Sequence, residues 1–323
     1  MSMFTSLREP SAPGVAVEIA AGRVSGASLD WRGGKPVVAA HVTEPLPEGA
    51  LTPALNAANA HDRASVATAV NRVLERLGRP RRIGLVVPDV VAKVSLIRFE
   101  KIPARTQDLD QLVRWQVRKT APFPVEDAQV SYVMGQRVAD GQELVVALAR
   151  REIVQEYEGL CADAGAHAGL VDLATFNVIN AVLAGRMPPT ADWLLVNVAS
   201  DSASIAILRG PHLIFFRNRA AETDGTLADL VHQTAMYYED RLQGGGFSRV
   251  LLAGGAGGRV SDLDQVRRSL EERLTTPVDT IDPRSAAAIA NRIVASPALL
   301  ETLAALVGLL LRDRDRSRDE VPA

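Results

Sequence analysis

The chain has 323 residues, 47% of them hydrophobic and 23% charged, so it can bury a substantial core and is longer than one typical domain. Its formal net charge is −2, from 36 basic and 38 acidic residues, which leaves no polybasic footprint for nucleic acid and no global attraction to anionic lipid. Cys161 is the only cysteine, which excludes an internal disulfide and suits a reducing compartment.

Residues 1–13 carry Arg8 and Glu9 and no apolar run of the signal-peptide kind. Residues 15–19 read as a strand, and residues 35–42 as another behind the Gly33-Gly34 turn. After a Pro/Gly-rich stretch, Asp62 is placed to cap a helix with Val66, Val70, Val73, Leu74 and Leu77 on one stripe and Gly78 at its end. Residues 82–88 form a short apolar strand closed by proline.

Residues 90–99 read as a strand, followed by a helix from about Thr106 whose Leu109, Leu112, Val113 and Val117 face inward. Ala121-Pro122-Phe123-Pro124 stops that helix. Strands over 128–134 and 143–148 join across Asp140-Gly141, and a further helix carries Ile153, Tyr157, Leu160 and Ala164 up to Gly165. This strand–helix–strand–strand–helix unit reads as a separate small module.

Past Met187-Pro188-Pro189, three strands are expected over 193–198, 204–208 and 212–217. A helix from about Thr226 to Leu242, a strand over 249–253, a glycine-rich loop, a helix through Leu263 and Leu274, a strand over 277–281 and two closing helices follow. Residues 292–312 are the most apolar stretch, but Glu301 interrupts them and leaves too short a run to span a bilayer. The expected units are 1–89 (first lobe), 90–170 (inserted module), 171–190 (a helix returning to the first lobe), 191–300 (second lobe) and 301–323 (a last helix and a charged, disordered tail).

Residues 98–103 and 108–127 resemble the PilM family of type IV pilus assembly proteins. There a helix ending in a Trp-Glu or similar pair runs into I-P-F-P-x-E; here Trp115-Gln116 and Thr120-Ala121-Pro122-Phe123-Pro124-Val125-Glu126 hold those places. Weaker matches continue in family order through 143–150, 168–172, 193–208 and 250–255. The resemblance implies an α/β, actin-like (ribonuclease-H-like) fold of two lobes with an inserted small subdomain like that of FtsA. It also implies a cytoplasmic protein, peripheral at the inner membrane, that binds the N-terminal tail of a PilN-like membrane protein and, indirectly, the pilus motor and platform.

Actin-like proteins hold nucleotide phosphates between two hairpin loops, each needing small residues and a carboxylate for magnesium. The family's first loop, D-I-G-S-S, corresponds here to Glu18-Ile19-Ala20-Ala21-Gly22, and the second, D-I-G-x-x-x-T, to Asn197-Val198-Ala199-Ser200-Asp201-Ser202-Ala203. Glu18 carries its carboxylate one methylene too far, and Asn197 brings no charge to a magnesium shell. Gly254 and Gly255 keep the family's glycine-rich loop, which implies close packing under an adenosine ring, although such strand-to-helix loops are also common as plain structure. A helical insertion that many relatives carry after the third strand of the second lobe is missing, with only residues 218–225 in that place. A degenerate site with weak or no ATP/Mg binding and no catalytic residue is expected, beside the alternative of an ATP-binding switch.

No metal spacing joins the five histidines, and no nucleophile elbow or P-loop occurs. Arg114 and Arg118 are placed to hold carboxylates of an approaching peptide, with Trp115 and Phe123 walling the groove beside an edge of the small sheet that strands 90–99 and 128–134 are expected to form; core packing of both aromatics is the plainer alternative. The cytoplasmic part of a type II secretion L-type component and a small-molecule kinase of the same fold are rival readings, the latter disfavoured by Asn197.

Overall fold

In a computed structural model, residues 13–200, 202–220, 226–254 and 263–312 are described. Strands β1 (Val15–Ala20), β2 (Arg23–Arg32) and β3 (Lys35–Pro45) open the chain, followed by helix α1 (Arg63–Arg76) and strand β4 (Arg82–Val87). The Asp62 carboxylate accepts from the Ser65 amide at 3.0 Å, so α1 starts where its capping residue predicts. Strand β2 was hidden from sequence reasoning because its alternation is broken by Gly26 and small polar residues, although it lies mostly buried.

A one-turn helix at Asp89–Val91 leads into β5 (Ala92–Phe99), α2 (Thr106–Val117), β6 (Ala128–Val138), β7 (Gly141–Arg150), α3 (Arg151–Asp163), β8 (His167–Leu173) and α4 (Ala174–Leu183). The remainder comprises β9 (Asp192–Val198), β10 (Ser202–Arg209), β11 (His212–Ala220), α5 (Leu227–Leu242), β12 (Arg249–Gly254), α6 (Leu263–Leu274), β13 (Val278–Thr280), the short β14 (Ala288–Ile289) and α7 (Pro297–Leu311).

Two sheets share one plan. In the first, the order is β14-β3-β2-β1-β4-β8; in the second, β11-β10-β9-β12-β13. Each has three consecutive antiparallel strands, with two further strands added parallel to the first of the three. This is a duplicated ribonuclease-H-like unit, the two lobes of an actin-like fold. A third, three-stranded sheet, β5-β7-β6, packs one face on α2 through Leu109, Val113, Leu144, Val146 and Leu148, forming the inserted subdomain.

The inserted unit ends earlier than residue 170. Helix α3 packs Ile153, Tyr157, Leu160 and Cys161 into the first-lobe core with Val66, Val70 and Val73 of α1. The Glu156 carboxylate also accepts from the amides of Asn59 at 2.8 Å and Ala60 at 3.0 Å, tying α3 to the first lobe. The apolar stripe of α3 gave no clue to which neighbour would cover it. Likewise the chain leaves the second lobe before residue 300, because β14 pairs with β3 at Val37 and Val38.

Two helical elements follow β13 among the described residues, a one-turn helix at Pro283–Ser285 and the long α7. The apolar circumference of α7 reflects burial on all sides: Leu303, Leu306, Val307 and Leu309 are at most 1% exposed, wedged between the lobes with α4. The two helices approach so closely that a Cβ on Gly308 would lie 1.6 Å from the Asn177 carbonyl oxygen. No helix among the described residues is long and apolar enough to cross a membrane.

Candidate functional site

Among the described residues two clefts open off this framework, and α4 lines both, while α7 borders the smaller one. The smaller lies where the β1–β2 and β9–β10 turns face each other across the lobes. Glu18, Ala20, Gly22, Asn197, Ala199, Ser200 and Gly254 all line it, so the structure gathers those sequence-predicted residues; Asp201 and Gly255 lie outside the described residues.

Their partners are internal. Glu18, largely buried, is paired with Arg23 at 3.1 Å across the β1–β2 hairpin. Asn197 Nδ2 donates to Thr175 Oγ1 at 2.9 Å, and the Ala199 amide closes its own turn on the Ser202 carbonyl at 2.8 Å. Gly254 has a left-handed φ of 84°, and a Cβ there would stand 1.9 Å from the Val198 carbonyl oxygen. Its glycine is required by the close approach of β12 to the end of β9.

Sequence reasoning passed over the cleft's central group. Asp89, 5% exposed, follows β4 directly. Its Oδ1 accepts from the Thr175 amide at 3.0 Å, in the first turn of α4. Its Oδ2 accepts from Ser204 Oγ at 2.6 Å and from the Thr175 hydroxyl. Asn218 Nδ2 in turn donates to Ser204 Oγ at 2.9 Å. Burial pushes the Asp89 carboxyl above the ordinary carboxylate range, against the pull of its hydrogen bonds from Ser204 and Thr175. The signal that points to it is a carboxylate placed at a strand end, Val87-Pro88-Asp89, where the apolar run stops.

The cavity left between these residues is about 60 Å³. Cofactor pockets are typically several hundred Å³, so the space between the described residues is small beside them. Glu18 is engaged by Arg23, and Asn197 offers no charge to magnesium. Among the described residues no group of three His, Cys, Asp or Glu side chains is disposed to hold a metal.

The larger cleft, about 840 Å³, lies between the inserted subdomain, the first lobe and the β10–β11 turn. Ser131, Tyr132, Val133, Met134 and Gly135 of β6 line it consecutively. Successive side chains of a strand point to opposite faces, so a run of neighbours can line a cavity only where a strand presents its edge. β6 pairs with β7 alone among the described residues, and Val133 and Met134 remain 43% and 56% exposed. Phe176 and Leu183 of α4 add apolar wall, and Pro211, His212 and Leu213 close the far side. The ion pair between Arg312 Nη1 and Asp172 Oδ2 (2.6 Å) also lines the cleft. Burial pushes the Asp172 carboxyl up, and the Arg312 charge opposes that rise.

Arg114, Trp115, Arg118 and Phe123 stand elsewhere. They belong to α2 and the loop after it, which cover the opposite face of the β5-β7-β6 sheet, and none lines the larger cleft. Arg118 pairs with Glu126, Lys119 sits 4.9 Å from the Trp115 ring centre, and Phe123 is half-buried against the subdomain core.

Fold and clefts together define a two-lobed, actin-like protein with an extra α/β subdomain. The family model described as type IV pilus assembly protein PilM matches residues 16–240, more than half of the chain, and the chain belongs to that family. A solved PilM-PilN type IV pilus biogenesis complex is similar in fold, at 20% identity, with 94% of this chain and 99% of that chain covered and a TM-score of 0.79. A Bacteroides thetaiotaomicron protein with an actin-like ATPase fold is more distant, at 9% identity, 87% and 94% coverage and a TM-score of 0.48. So is the cytoplasmic domain of EpsL, an inner membrane component of the Vibrio cholerae type II secretion system, at 13% identity, 81% and 94% coverage and a TM-score of 0.44. No curated protein matches the chain.

Proposed function

We propose that this PilM-family chain is a non-catalytic scaffold of a type IV pilus or related machine, and that it grips the N-terminal tail of a PilN-like membrane protein in the larger cleft. The observation that carries this reading is the unpaired edge of β6 along the cleft, with Val133 and Met134 exposed beside it. An extended peptide gains main-chain hydrogen bonds from such an edge, while apolar walls select alternate side chains. The similar solved structure is itself a PilM-PilN complex, which supports the same class of partner.

Through that partner the protein sits peripherally at the inner membrane and is linked to the pilus motor and platform. The smaller cleft is a degenerate nucleotide site, with Glu18 spent on Arg23 and Asn197 in the place of a carboxylate.

Fluorescence anisotropy with a labelled peptide of a PilN-like cytoplasmic N-terminus tests the groove. Val133→Glu and Met134→Glu should each weaken binding about tenfold or more, roughly 1.4 kcal/mol, with unchanged melting temperature. Arg118→Glu and Phe123→Ala serve as the opposite arm, on the α2 face. Normal binding by the β6 variants together with loss in the α2 variants would move the partner to that face.

A further inference from the structure

The polar groups of the smaller cleft form a chain that crosses from one lobe to the other. Asp89 and Thr175 belong to the first lobe; Asn197, Ser204 and Asn218 stand on three neighbouring strands of the second. Donors run in a fixed sense: Asn218 donates to Ser204, Ser204 donates to Asp89, Asn197 donates to Thr175, and Thr175 donates to Asp89. Each hydroxyl therefore both accepts from an amide and donates to the carboxylate, and Asp89 is the common acceptor at the centre.

Thr175 and Ser204 are at most 1% exposed, so water offers these groups no replacement when the chain is broken. Buried networks of this kind are strong when every member is satisfied and weak when one is not. The cavity beside the network, between the described residues, is about 60 Å³, although the fold places its two hairpin turns as a nucleotide cleft would.

We infer that Asp89 is an interlobe latch: with Thr175, Ser204, Asn197 and Asn218 it holds the two lobes closed, so that closure is built into the chain and needs no bound nucleotide. Asp89 lies between the two clefts, since Pro88 and Asp89 border the smaller one and Val91 and Ala92 border the larger. The latch thereby also fixes the position from which β5 and the inserted subdomain depart. Burial of the carboxylate is consistent with this role, because a charge taken out of water is retained only where several donors converge on it. This inference rests on the interlobe geometry and stands independently of which partner occupies the larger cleft.

An isosteric change breaks the latch without altering volume. In Asp89→Asn one amide nitrogen would face hydroxyls that already accept from Asn197 and Asn218, so the donor sequence no longer closes. The full-length protein, in a Cys161→Ala background, is labelled with spin probes at Thr68→Cys on α1 and Glu272→Cys on α6, and interlobe distances are measured with and without Mg-ATP. The wild-type latch should give one narrow distribution that Mg-ATP leaves unchanged. Asp89→Asn and Ser204→Ala should each broaden it toward longer distances, raising the open population several-fold. Should Asp89→Asn fail to fold, Ser204→Ala, which removes only the second-lobe hydroxyl, decides the matter. Narrow, wild-type distances in folded Ser204→Ala, or a wild-type protein that narrows only on adding Mg-ATP, would overturn the latch. Peptide affinity is read separately, so an open latch with normal peptide binding leaves the scaffold reading intact.

Discussion

The two clefts of this molecule share helix α4 as a wall and differ in how their polar groups are used. Around the smaller one, Glu18, Asp89, Asn197 and Ser204 all have partners within the chain, and about 60 Å³ is left. Along the larger one, a strand edge and two exposed apolar side chains have none among the described residues, and the space is about 840 Å³. A site that satisfies itself has little to offer a ligand, because each new hydrogen bond must replace an existing one. A strand edge beside apolar wall offers both unmade hydrogen bonds and removable surface. The position inherited from the actin-like plan is thus the poorer candidate for binding, and the accessory subdomain makes the better one.

The largest effect that would sharpen this contrast comes from the shared wall. Gly308→Ala forces a Cβ onto the Asn177 carbonyl, a backbone contact that no rotamer relieves. The expected loss is more than about 3 kcal/mol, at the upper end of overpacking penalties, seen as a large drop in the urea midpoint. Peptide binding should fall with it, since Arg312 at the end of α7 lines the larger cleft. A variant of normal stability would mean that α4 and α7 are looser than described.

Next in size is an acid effect behind the smaller cleft. His41, whose Nε2 lies 3.2 Å from Thr302 Oγ1 on α7, is pulled down from 6.5 to about 4 by burial, with the Arg23 charge adding to it. The unfolded chain therefore binds this proton before the folded one, and stability present above about pH 6.5 is lost as pH falls toward about 4. The loss attributable to His41 is about 2–3 kcal/mol. Burial of Asp89 and Asp172 acts the other way, with stability present at low pH and lost as pH rises through their raised values. The comparison is accordingly made against His41→Gln, in which the dependence between pH 6.5 and 4 should flatten in chemical unfolding. An unchanged slope would show that His41 does not titrate in this window.

The smallest expected effect is on the far face of the subdomain. Arg118→Glu swaps a surface pair with Glu126 for a repulsion, and both partners are about two-thirds exposed, at 65% and 64%. Surface pairs contribute on the order of 0–1 kcal/mol, so stability should move by less than about 0.5 kcal/mol and peptide affinity by less than twofold. A tenfold loss of affinity would return the partner to α2.

Sequence patterning made the helices legible because their stops are local: Asp62, Gly78, Pro122 and Gly165 end or begin elements by their own backbone chemistry. The hairpin residues of the smaller cleft were found the same way, as departures from a family pattern at fixed positions. Asp89, Thr175 and Ser204 were not, since 86 and 115 residues separate Asp89 from its two partners and no periodicity links them. The larger cleft was not legible for a related reason. Trp115 and Phe123 announce themselves in a sequence poor in aromatics, and an edge of the small sheet is expected, whereas the position of the β6 edge along a cleft on the face away from those aromatics is a fact of topology. The burial of α3 against the first lobe was missed on the same ground, for an apolar stripe does not say what covers it.

The most direct test of the contrast between the clefts is a hydrogen-exchange footprint of the full-length protein, taken with a saturating PilN-like N-terminal peptide, with Mg-ATP, and with both. The account predicts that the peptide slows exchange along Ala128–Val138, the β6 strand, by tenfold or more, to the same extent whether or not Mg-ATP is present. Mg-ATP alone should leave the β1–β2 and β9–β10 turns unchanged. Protection confined to Thr106–Val117 of α2, or β6 protection that appears only when Mg-ATP is added, would contradict it.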